Sequence, residues 1–367
     1  MKNLSLSSVF FFLFWLQFVA VDAEKLDEKV MFVVKSSSSS IHQTELVISS
    51  KEFTQTLFNP RTIKKVLELP VMNNYFLLED GAMVRVYVMD DSGVFYDVLR
   101  KEVVTFSPEV SKKIQDFFFV LQQKHFGELV EWDEMQHQIP KYAEFKITDL
   151  ETGLKFRAQR RAGSNHADVQ PLTKEDTAIM KKIYNGKWSW NRRAILVHVN
   201  GKRIAASMHG MPHGGGALAN DFPGHFCIHF RGSTTHTSKK LDLSHQAMIH
   251  VAGGKLLPYV SQLDGEDLGK LFFVSLQQND LDLLQAIYND DAIPFDSKVM
   301  KVENVRIIDE EEIINDTFVY KTKIKYKVKL EGKDEVVDVI SLGMTRDSLT
   351  SAWRINSIES EMWNEDW

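Results

Sequence analysis

The chain has one cysteine, Cys227, and twelve histidines, seven of which fall between residues 209 and 250. Cys227 sits in the middle of that cluster, in Gly224-His225-Phe226-Cys227-Ile228-His229-Phe230. A lone thiol ringed by imidazoles has the composition of an activated nucleophile: the thiolate is the reactive form, and an imidazole can take its proton or pair with it. The same residues suit a metal. On a strand, His225, Cys227 and His229 lie two apart and point to one face. With His209 and His213 they make an N/S donor set for zinc or copper.

The spacing carries a resemblance. His209-Gly210 is followed, after 14 intervening residues counted from His209, by Gly224-His225-Phe226-Cys227-Ile228-His229. This resembles the YkuD-type L,D-transpeptidase motif, in which a histidine at the end of a strand precedes, by a spacer of this length, Ser or Thr, His-Gly-Cys, an apolar residue and Asn or Arg. Here Gly224 stands for Ser/Thr, Phe226 for glycine and His229 for Asn/Arg. The resemblance covers about 120 residues.

That resemblance implies acyl transfer without a cofactor. Cys227 would attack a peptide carbonyl, with His209 as base and the Gly210 carbonyl orienting its ring. Backbone N–H groups near Phe226 and Cys227 would hold the oxyanion, and His225 would polarise the site. His213, His229 and Phe226 would contact substrate. It also implies a peptidoglycan stem peptide as substrate, with an amine or water as acceptor. A metal-binding envelope protein or metal-dependent hydrolase, and a non-catalytic wall-binding module, are the alternatives.

His213 lies in the flexible Met211 to Gly216 loop, as a lid residue or a solvated loop histidine. His166 and Asp168 lie in a polar loop and read as well bonded there, with substrate or metal binding as the alternative. His236, His245 and His250 read as structural or surface groups, and Trp188 and Trp190 as packing before a strand. Asn315-Asp316-Thr317 fits a glycosylation acceptor.

The N-terminus reads as an export signal: Lys2, the apolar run Val9 to Val21, then Val21-Asp22-Ala23 before a charged stretch. The apolar run is short against the ~20 residues of a membrane span. Cleavage after Ala23 would leave a secreted, extracytoplasmic envelope protein with no stable span. A net charge of -6 and scattered cations argue against nucleic acid. One cysteine in an oxidising compartment leaves a free thiol.

The positioning elements divide into modules of an α+β multidomain chain: signal 1–23, polar spacer 24–45, a small mixed module 46–137, a mostly-β L,D-transpeptidase-like domain 138–262, and 266–367. Lys141–Leu150 with Leu154–Arg160, and Ala194–Val199 with Arg203–Met208 across Asn200-Gly201, read as hairpins. The last module, an amphipathic helical stretch from Glu266 to Tyr288 before a strand meander, resembles a SnoaL-like (nuclear-transport-factor-like) cone with a curved antiparallel sheet.

Overall fold

The computed structural model describes residues 29–66, 69–80, 83–236, 239–288 and 299–364. The expected signal segment lies outside them. The chain is α+β, with three antiparallel assemblies, one of them a closed six-stranded barrel. No helix of the described residues is long and apolar enough to cross a membrane.

The first sheet has seven strands: β1 (Lys29–Lys35), β2 (Gln43–Ser49), β3 (Arg61–Lys65), β4 (Asn74–Asp80), β5 (Met83–Met89), β6 (Phe95–Asp97) and β7 (Glu102–Thr105), in the order β2-β1-β4-β5-β6-β7-β3. Helices α1 (Lys51–Leu57) and α2 (Pro108–His125) accompany it. Ser107 caps α2 by accepting from Val110 N–H, with Pro108 in the first turn, as its sequence signals require. Phe32, Phe76, Tyr87 and Phe118 fill the core beneath.

This corrects the expected spacer. From Lys29 onward it is an inner strand, β1, paired on both sides. The serine run is a junction. Ser37 and Ser39 donate to the Glu151 carboxylate, both at 2.8 Å. Ser40 donates to the Leu150 carbonyl at 2.7 Å, and Ser38 to Asp282 at 2.7 Å. Serine composition alone does not separate a solvated linker from hydroxyls that saturate buried carbonyls, because the partners are over a hundred residues away.

Helix α3 (Trp132–Gln138) precedes the barrel. Its strands are β8 (Glu144–Asp149), β9 (Lys155–Ala162), β10 (Ala167–Pro171), β11 (Arg192–Val199), β12 (Lys202–His209) and β13 (Phe226–His229), closed in the order β10-β13-β12-β11-β8-β9. Both expected hairpins form, and the β11–β12 turn places Asn200 and Gly201 at φ 50° and 75°. Period-two alternation sends Phe145, Ile147, Phe156, Ile195, Val197, Ile204, Met208, Phe226 and Ile228 into one core. The intervening residues form the outer wall. There α5 (Leu243–Ala252) packs Ala252 against Leu196 and Ala205. Helix α4 (Lys174–Ile183), with a Thr173–Asp176 capping box, joins β10 to β11.

The C-terminal part follows α6 (Leu256–Val260). The expected helical stretch breaks at Asn279 (φ 54°) into α7 (Gly265–Gln278) and α8 (Leu281–Ile287). These pack on a four-stranded sheet, β14 (Val302–Asn315), β15 (Val319–Leu330), β16 (Val336–Thr345) and β17 (Arg354–Glu359), with a final turn α9 (Glu361–Asn364).

Candidate functional site

The site lies on the outer wall of the barrel, where β10, β13 and the end of β12 run side by side. Because Phe226 and Ile228 face inward, Cys227 and His229 face out. Asp168 pairs with Cys227 across β10–β13, and Ser207 with His229 across β12–β13. His209, two residues beyond Ser207, comes onto the same wall, and its ligand nitrogen, one nitrogen of His213 and the Cys227 sulfur lie within 4.8 Å of one another.

Two glycines make this arrangement possible. Gly163 has φ 92°, and a Cβ there would stand 2.0 Å from the His166 carbonyl oxygen. The tight turn from β9 to β10 that delivers His166 and Asp168 therefore needs glycine. Gly224 has φ 134°, and its Cβ would meet the His213 carbonyl oxygen at 2.5 Å. A Ser or Thr, which the resembled motif carries there, would collide with the loop that covers the sulfur.

That loop is pinned. His213 and His225 exchange backbone hydrogen bonds at 3.0 and 2.9 Å, so His213 is fixed over the sulfur and is no free loop residue. Its Nδ1–H donates to the Met211 carbonyl at 3.2 Å, which leaves Nε2 as the acceptor in the neutral ring. Nε2 stands 3.4 Å from the Cys227 sulfur.

On the other side of the sulfur is Asp168, with Oδ1 at 3.8 Å. The same oxygen is 3.3 Å from His166 Nε2 and 3.7 Å from His225 Nε2. His166 Nδ1–H donates to the Thr234 carbonyl at 2.9 Å, so its Nε2 faces the carboxylate as a second donor. Burial works against both charges. The hydrogen bond between them and their mutual attraction prevail, so His166 is pushed up and Asp168 held down, each stabilising the other's charged form.

Behind this pair the imidazoles stack. The rings of His166 and His229 are 4.5 Å apart, and those of His229 and His245 3.9 Å apart at 4°. His245 is hydrogen-bonded to Ser207 Oγ at 2.9 Å. Burial, reinforced by neighbouring cations, pushes His209 and His245 well down and His229 to about 3, so all three are neutral near pH 7. Burial likewise lowers His213 and raises the Cys227 thiol, which Asp168 raises further. The resting pair is therefore a neutral thiol facing a neutral imidazole, not a preformed ion pair.

The residues singled out from sequence fall into two groups. Cys227, His209, His213, His225 and His229 converge. Phe226 does not line the site: it is 0% exposed, inside the barrel against Phe156 and Phe222. The strand period that exposes Cys227 buries its neighbour. The Gly210 carbonyl does not orient His209 through Nδ1 either, since that nitrogen is buried without a hydrogen-bond partner among the described residues. His166, Asp168 and His245, which the sequence reads as structural, join the cluster, as does Ser207, which the sequence does not single out. For Asp168 the available signal is its place between Ala167 and Val169, whose alternation marks a strand. Trp188 packs edge-on to Phe222 as expected. Trp190 is 50% exposed, with its ring 4.7 Å from His209 and 5.6 Å from His213.

Only 7% of Cys227 is exposed, yet its surroundings are imidazole and carboxylate, not packed hydrocarbon. The arrangement supplies a thiol, an oriented proton acceptor and a fixed charge pair. No protein-family model and no curated protein matches the chain.

Proposed function

We propose that the chain is a cysteine acyl-transfer enzyme of the L,D-transpeptidase or L,D-carboxypeptidase kind, acting on peptidoglycan stem peptides outside the cytoplasm. The observation that carries this reading is the 3.4 Å approach of His213 Nε2 to the Cys227 sulfur, with the tautomer set by Met211. The barrel serves as the catalytic domain, and the sheet β14–β17 with its helices as an accessory, SnoaL-like domain.

In the first step the sulfur bonds to a peptide carbonyl carbon while the thiol proton passes to His213 Nε2. The C–N bond breaks, and the leaving amine takes that proton, giving a thioester. In the second, an acceptor amine or water attacks the thioester carbon and loses a proton to His213, the C–S bond breaks to release the amide or acid, and the sulfur takes the proton back from His213. The imidazolium formed transiently on His213 lies beside His225 and within the field of Asp168. That field favours the charge as it develops, at the cost of a thiol that ionises late.

The test is intact-mass spectrometry after incubation with stem peptides or a carbapenem. An acyl adduct is expected on the wild type, none on Cys227→Ala, and strongly slowed formation on His213→Gln. No adduct on wild type removes the reading.

A second reading has its own support. His209, His213 and Cys227 present three ligand atoms within 4.8 Å, and His209 Nδ1 is buried without a partner. This donor set fits zinc or copper. Stoichiometric zinc uptake that disappears in His209→Gln, together with adduct formation abolished by chelator, would favour a metal-dependent enzyme. Adduct formation unaffected by chelator favours the thiol.

A further inference from the structure

A cavity of about 440 Å³ opens beside the site, bordered by Lys141, Arg160, Ser164, Asn165, His166 and Asp168, with His236 at the rim. His166 and Asp168 line this cavity, and their ligand atoms lie within 4.8 Å of the Cys227 sulfur, so the two spaces share a wall. The volume suits a group the size of one or two amino acids.

The wall is cationic by construction. Among the described residues Asp168 is the one acid that lines it, and its carboxylate already pairs with His166 at 3.3 Å. Lys141 and Arg160 remain as uncompensated cations. Arg160 is held in place. Its Nε donates to the Ala162 carbonyl and Nη1 to those of Gln136 and Ile139, while the guanidinium lies 4.8 Å over Trp132. These bonds, with a fourth from Nη2 to the Gly163 carbonyl, fix the guanidinium at the cavity wall without neutralising it. Lys141 and His236 are exposed and can close onto a ligand. Ser164 and Asn165 add neutral polar side chains beside them.

We propose that this cavity is a subsite for a free carboxylate of the peptide substrate, seated by Lys141, His236 and the fixed charge of Arg160 while a neighbouring carbonyl reaches Cys227. It rests on the acyl-transfer reading for the identity of the ligand as a peptide. Carboxylate recognition there selects peptides with an acidic end over their amides.

The experiment uses the full chain carrying Cys227→Ala, which holds peptide unreacted, and calorimetric titration with a synthetic stem tetrapeptide bearing a free C-terminal carboxylate or its C-terminal amide. The acid is expected to bind at least about tenfold more tightly, with affinity falling as salt rises. Adding Lys141→Gln and His236→Gln, both at exposed positions, should cut the difference several-fold, the remainder being due to Arg160. Equal binding of acid and amide, discrimination undiminished by the double substitution, or no binding of either peptide overturns the subsite. Thioester formation on wild type is followed in parallel. Discrimination in Cys227→Ala with no thioester on wild type keeps the subsite and removes the acyl-transfer reading. Thioester formed equally fast from both peptides does the reverse.

Discussion

Asp168 stands directly across the β10–β13 ladder from Cys227, with a carboxylate oxygen 3.8 Å from the sulfur. An anion at that distance opposes thiolate formation and favours a cation on the neighbouring imidazoles. The site thereby holds a neutral thiol and not a standing thiolate.

Alkylation reads this directly. Burial first, then the charge of Asp168, holds the thiol above its usual range, so wild-type Cys227 should react slowly with iodoacetamide even near pH 8. Asp168→Asn removes the second cause and should speed labelling several-fold, followed by mass against pH. A faster wild type would contradict the assignment.

Acid stability follows from the buried imidazoles. His229 is pushed down to about 3 by burial and by the charge of His166, and His209 and His245 are pushed the same way. The unfolded chain takes up these protons near pH 6.5 and the folded one does not, so stability is full above pH ~6.5 and falls below it. The slope should approach roughly 1.4 kcal/mol per pH unit for each such group. Urea unfolding between pH 7 and 4 measures it, and His229→Leu should flatten it.

The Ser207–His245 hydrogen bond joins two fully buried groups. Ser207→Ala leaves a buried imidazole nitrogen unpaired and should cost about 1–3 kcal/mol. Ser207→Thr, which restores a hydroxyl, should recover part of it. An unchanged urea midpoint for Ser207→Ala would refute the account.

Adjacent positions on β13 should separate stability from chemistry. Phe226→Ala empties barrel core and should cost about 3–5 kcal/mol. Cys227→Ala should leave the melting temperature within a few degrees while abolishing the acyl adduct. Calorimetric melts of the two variants check this.

Arg193 donates two hydrogen bonds, at 3.0 and 2.8 Å, to the fully buried Asp149. Removing one partner strands a buried charge, so Arg193→Met should cost about 3–5 kcal/mol in chemical denaturation. Replacing both residues with apolar ones should recover much of that loss.

Much of the barrel was legible in sequence because its signals are local. Asn200-Gly201 specifies the β11–β12 turn, the Glu151–Gly153 turn joins β8 to β9, and period-two alternation assigns each residue to the core or the outer wall. That alternation also places Cys227 and His229 on one face and, applied to the same strand, buries Phe226. The polar run at Ser36–Ser40 was not legible, because its partners Leu150, Glu151 and Asp282 are distant in the chain.

The sequence by itself determined that one thiol would sit among many imidazoles, on a strand that turns it away from the barrel core. Which imidazole faces the sulfur was decided only by tertiary structure. The His213–His225 backbone bridge, allowed by Gly224 at φ 134°, folds the loop so that His213 meets the thiol. Closure of β10 onto β13 brings in Asp168 and His166 from about sixty residues upstream. Spacing along a chain limits which residues can meet across one hairpin. Register across a closed sheet decides which of them do, because it depends on every strand between them.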